Sequence, residues 1–117
     1  MIDAILKNLI TSVNGAQAAI FLDGDGESIS HVGNLKKDMK LLGAWKEIHL
    51  DRIKEITGRL GLGTVRAVLF SLEEGNELAV PVSGDYCLLL FLSSYASLQD
   101  AMAGLSKAVE LLSQDIA

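Results

Sequence analysis

The stretch Tyr86-Cys87-Leu88-Leu89-Leu90-Phe91-Leu92 carries no charge and no alternation of polar with apolar residues. That is the pattern of a strand buried on both faces, which makes this run the middle of a sheet. Ser83-Gly84-Asp85 and Ser93-Ser94 bound it, so it falls far short of the roughly 20 apolar residues that cross a bilayer. Strands beside it and amphipathic helices above and below must supply its cover.

Immediately upstream, Thr64 to Leu72 reads as a third strand and Glu73-Glu74-Gly75-Asn76 as a hairpin loop. Glu77 to Val82 is then a fourth strand, leaving the central run as the fifth. Three strands in succession make an antiparallel meander. Pro81 removes one ladder donor and marks the end of the fourth strand. Val68-Leu69-Phe70 puts large apolar groups on both faces of the third strand, and Arg66 is the only charge between Thr64 and Leu72. Such a strand, if it lies at an edge, needs a cover.

At the start of the chain, Ile2, Ile5, Leu6, Leu9, Ile10 and Val13 recur at three and four residues, giving a short amphipathic helix from Met1 to about Ser12 that Asn14-Gly15 ends. Ala16 to Leu22 reads as a strand, Asp23-Gly24-Asp25-Gly26 as a tight turn, and Glu27 to Val32 as an outer strand. From Asn34, a candidate N-cap, to about Leu60 runs a long helix with Leu42, Trp45, His49, Ile53, Ile56 and Leu60 on one stripe, which should lie on the sheet. Leu41 and Ile48 flank that stripe on one side and Leu50 on the other. The apolar arc therefore covers about half the circumference, more than one sheet contact requires. Gly43 costs roughly 1 kcal/mol relative to alanine in a helix interior. It either marks a frayed start or, beside Ala44, lets another backbone come close. Ser97-Leu98-Gln99-Asp100 opens a closing helix whose apolar face is Leu98, Met102, Leu105, Val109, Leu112 and Ile116. The order is α-β-β-α-β-β-β-α, an α/β (α+β) single domain over residues 1–117 with no repeat or linker dividing it.

Composition excludes several classes. A chain of 117 residues that is 50% hydrophobic buries a real core without metal or disulfide staples. The one cysteine, Cys87, lies in the buried run and reads as a small core residue. An acid at Asp3 and the lack of an uninterrupted apolar segment at the start speak against a signal peptide and for a cytoplasmic protein. The net charge of -5 argues against nucleic acid and against an anionic membrane surface, leaving proteins as the expected partners.

Candidate chemistry is sparse. Asp23-Gly24-Asp25-Gly26 begins like a calcium loop, but Ser28 and Asn34 stand where an EF-hand needs glycine and glutamate. Gly58, Gly61 and Gly63 lack the Walker lysine, since Thr64 follows directly, and a helix C-cap with a turn explains them better. His31 and His49 have no second metal-type ligand at local spacing, so His49 reads as a core or interface histidine. No nucleophile and base can be assembled, and no cofactor or metal site is expected.

Ala18-Ala19-Ile20-Phe21-Leu22-Asp23-Gly24-Asp25-Gly26, after a helix ending Val13-Asn14-Gly15-Ala16, resembles the Roadblock family, as do Glu77-Leu78-Ala79-Val80-Pro81-Val82 and the apolar fifth strand. This group includes dynein light chains, endosomal scaffold subunits and bacterial regulators of Ras-like GTPases. The resemblance spans nearly the whole chain. It implies a five-stranded antiparallel sheet with the long helix on one face and the terminal helices on the other. It also implies dimers that join third strands and pack the long helices together. On that basis Leu41, Gly43, Trp45, Ile48, Arg66, Val68 and Phe70 are the expected dimer or partner interface. The implied function is a non-enzymatic homodimeric regulator or scaffold for a small Ras-like GTPase, with stimulation of hydrolysis left open. Arg52, Arg59 and Arg66 are equally explained as solvated charges rather than a catalytic finger. The alternatives are a small-molecule sensor, for which the core strands offer only Cys87 and Gln17 as polar groups, and a pure scaffold subunit of a motor or membrane-associated complex.

Overall fold

The elements run α1 (Ile2–Ser12), β1 (Ala16–Leu22), β2 (Ser28–Gly33), α2 (Met39–Arg59), β3 (Val68–Leu72), β4 (Gly75–Pro81), β5 (Cys87–Ser93) and α3 (Leu98–Ile116). The computed structural model describes residues 1–34 and 39–117, without the side chains of 39–42, 44 and 47. All strand pairs are antiparallel, in the order β2-β1-β5-β4-β3, so the apolar run is the central strand.

β5 is buried from Cys87 to Leu92 because each face meets a different layer. Leu88, Leu90 and Leu92 pack with Ile5, Leu6 and Leu9 of α1 and Leu105 and Leu112 of α3. Cys87, Leu89 and Phe91 face the other way, toward Leu50 of α2. Period-two alternation thus splits one uncharged strand between two cores.

The turn after β1 is held by its own side chain. The Asp23 carboxylate accepts from the N–H groups of Asp25 and Glu27 at 2.9 and 3.0 Å, an Asx turn that orders the hairpin. α2 ends at a paired cap, with the Leu62 N–H donating to Thr57 O at 3.0 Å and the Gly61 N–H to Gly58 O at 3.2 Å. Gly61 sits at φ +68°, the left-handed position that this motif requires. Ser97 caps α3, its hydroxyl accepting from the Asp100 N–H at 3.2 Å.

Several strand boundaries differ from expectation, β5 by one residue at each end, Cys87–Ser93 against Tyr86–Leu92. β3 begins at Val68, not Thr64; continuing its register would set Arg66 opposite Pro81, which has no N–H to offer. β4 begins at Gly75, because β5 is long enough to pair with Gly75 and Asn76, and only Glu73 and Glu74 remain as the turn. β2 is displaced by one residue, to Ser28–Gly33, next to an irregularity in the register at Phe21 and Leu22. The first turn of the helix expected after Asn34 covers residues 35–38, which lie outside the described residues; the Asn34 N–H itself donates to Gln17 O at 3.2 Å.

Two helix faces are also turned. α3 buries Ala101, Leu105, Ala108 and Leu112, while Leu98 at its start is exposed. Of the α2 stripe expected on the sheet, Ile53 turns inward, Trp45, His49, Ile56 and Leu60 face out, and the side chain of Leu42 lies outside the described residues. The inner face of α2 carries Gly43, Lys46 and Leu50, with half-buried Ile53, Lys54 and Thr57 continuing the row.

Candidate interaction surface on the long helix

Leu50 is completely buried, whereas Trp45, Ile48, Ile56 and Leu60 are 55%, 50%, 55% and 66% exposed. They recur at three, four and eight residues, so they share one side of α2, with His49 and Arg52 exposed among them. A helix with a buried row and a second apolar row in water has one more apolar face than its own sheet uses. Single exposed hydrophobes need no explanation, but a continuous stripe of them does.

The stripe continues toward the sheet edge. Trp45 and His49 have ring centroids 6.1 Å apart, and His49 and Phe70 of β3 6.4 Å apart. β3 is the last strand in the sheet and is uncharged from Val68 to Leu72, with Leu69 and Leu72 exposed. A helix stripe and an open strand edge thus form one surface.

Beneath the aromatic ladder, Lys46 Nζ lies 2.8 Å from Glu77 Oε2, with both side chains only 15% exposed. The same ammonium lies 4.0 Å from the centroid of the Phe70 ring, within reach of a cation–π contact. Phe70 and Glu77 are register partners across β3 and β4, so Lys46 ties α2 to both strands. Removing either partner alone would strand a mostly buried charge, at about 3–5 kcal/mol.

Of the residues expected at the interface, Trp45 and Ile48 stand on this outward stripe. Arg66 is exposed in the segment before β3, and Val68 and Phe70 are half-buried on β3 with their side chains against the α2 core. Gly43 is placed differently. It is buried, and a Cβ there would come 2.9 Å from Leu22 Cδ2, so the close approach it permits is to β1 of its own sheet. The side chain of Leu41 lies outside the described residues. His49 is not a core histidine; it is exposed within the stripe. Lys46, Glu77, Ile56 and Leu60 complete the surface without having been assigned to it from the sequence. The row Gly43-Lys46-Leu50, at helical spacing, is the signal that would have found the inner face, but only by giving weight to a glycine and a lysine.

The structure makes three substitutions informative. Gly43→Leu is expected to destabilise the chain by about 1–3 kcal/mol through crowding against Leu22, despite its better helix propensity; a raised urea midpoint would contradict that placement. Leu72→Lys tests whether the β3 edge is a contact between copies: such a contact would weaken about tenfold while the melting temperature of the chain stays nearly unchanged. Phe70→Lys should lower both, because its ammonium would meet Lys46; analytical ultracentrifugation with thermal melts separates the cases.

Among the described residues, no cluster of His, Cys, Asp or Glu could hold a metal ion, and no helix is long and apolar enough to cross a membrane. No protein-family model and no curated protein matches the sequence. Solved structures do match over nearly its full length. A Roadblock/LC7 domain from Streptomyces avermitilis superposes with a TM-score of 0.90 at 18% identity, covering 97% of this chain and 96% of that one. MglB of Myxococcus xanthus gives 0.91 at 16% identity, over 98% and 94%. MglB with a tetrameric arrangement gives 0.85 at 16% identity, over 97% and 85%. What is shared at these identities is the architecture: a five-stranded antiparallel sheet between one long helix and two terminal helices, the fold of the Roadblock/LC7 domain.

Proposed function

We propose that the protein is a non-catalytic homodimer that acts as a regulator or scaffold for a small Ras-like GTPase. The dimer is built from the outward face of α2 and the free edge of β3. The observation that carries this reading is the exposed stripe of Trp45, Ile48, Ile56 and Leu60 on a helix whose inner face is already docked. A two-fold contact requires a patch to meet its own copy, and the spacing of the stripe fits that demand. In an antiparallel pairing centred on Arg52, Ile48 meets Ile56 of the other copy and Trp45 meets Leu60. Joining β3 edges removes the second exposed apolar feature in the same step.

The GTPase is named from the Roadblock resemblance, and a tetrameric arrangement of a protein with this fold is consistent with self-association. The test is chromatography of the chain mixed with a Ras-like GTPase from its own genome, loaded with GDP or a GTP analogue. Preferential co-elution with the GTP form is expected. Equal indifference to both forms would overturn the GTPase assignment and leave a scaffold for other proteins.

A further inference from the structure

α2 carries two faces that compete for the sheet. The docked face contributes one fully buried apolar side chain among those described, Leu50, whereas the outward face displays Trp45, Ile48, Ile56 and Leu60. Apolar burial alone would favour rolling the helix until some of that stripe met the sheet. Something other than hydrophobicity therefore selects the face that docks.

We propose that the Lys46–Glu77 ion pair, together with Gly43, fixes the rotation of α2 and so keeps the apolar stripe facing outward. Lys46 stands three residues after Gly43 and four before Leu50, in the centre of the inner row. Its ammonium reaches Glu77 on β4 at 2.8 Å and lies over Phe70 on β3. A rolled helix would withdraw that ammonium and leave the Glu77 carboxylate beside Phe70 and Phe91, its neighbours in the ladder, with no cation to offset its lost hydration. Gly43 adds a steric condition, since any side chain turned into its place would press on Leu22. A buried ion pair contributes little to net stability compared with apolar groups of similar volume, and its best-attested use is to specify one packing among several. Lys46 and Glu77 are thus positioning residues for the interaction surface.

The test uses Trp45, the only tryptophan in the chain, as a reporter of the outward face. The double variant Lys46→Met/Glu77→Leu replaces the pair by apolar groups of similar size. It is expected to keep its helix content and melting temperature, while Trp45 becomes shielded from acrylamide in dilute, monomeric protein. Self-association should weaken at least about tenfold. The swapped pair Lys46→Glu/Glu77→Lys should restore the quenching and association of the unaltered chain, and neither single reversal should. A double apolar variant with Trp45 as accessible as in the unaltered chain would overturn the proposal, as would a swapped pair no better than the single reversals. Only the association readout rests on the dimer reading. An unaltered chain that stays monomeric would sink that reading, and the quenching comparison would still decide whether the ion pair sets the helix rotation.

Discussion

In the proposed dimer, Ile56→Asp is expected to give a folded monomer, with the dissociation constant raised at least about 100-fold, at roughly 1.4 kcal/mol per tenfold. Ile56 is more than half exposed on the outward side of α2, so an aspartate there is hydrated in the isolated chain and costs only about 0.5 kcal/mol in helix propensity. In the proposed pairing the same carboxylate would be pressed against the apolar Ile48 of the other copy, a desolvation that Arg52, one turn away, offsets only in part. Sedimentation equilibrium reads the change and circular dichroism checks the fold. An unchanged dissociation constant would place the contact elsewhere on the molecule.

Six residues earlier, Leu50→Ala should do the opposite, weakening the fold itself by about 3 kcal/mol. Leu50 is the fully buried anchor of α2, in one buried cluster with Ala18, Ile20, Leu22, Ala79, Cys87, Leu89 and Phe91. Ala18 and Ala79 have no spare volume to fill the hole it would leave. Such a loss is a large share of the 5–15 kcal/mol that holds a typical domain together. The urea midpoint should fall with the slope unchanged, and amides of α2 should exchange sooner than those of β5. A cost below about 1 kcal/mol would mean that Leu50 does not anchor the helix.

The contrast between these two positions shows what the sequence did and did not reveal. Elements defined by one dominant pattern were legible: the uncharged run of β5, the bounds of β1, the Ser97 cap and the Asp23 turn were all readable from local residues. The meander alone left open whether β3 lies at an edge, which the strand order settles. The inner face of α2 was hidden because its centre is Gly43 and Lys46, one residue with no side chain and one with a charge, and a hydropathy stripe gives weight to neither. Lys46 becomes an inward residue only through Glu77, which stands 31 positions later in the chain and on another element. Leu50, read as a flank of the stripe, is the buried anchor of the inner face, and Trp45 and Ile56, read as sheet contacts, face out. The same effect on a smaller scale moved the buried face of α3 onto Ala101 and Ala108, whose small size hides them from the same pattern. The surplus of apolar arc on α2, by contrast, was legible from the start, and it is the property on which the self-association reading depends.

Light scattering of the unaltered chain over a wide concentration range tests that reading most directly. A mass of twice the 12.5 kDa chain, with Trp45 emission shifted to the blue of an exposed indole, is the predicted result. A mass of one chain at every concentration, with Trp45 emitting as if in water, would contradict it.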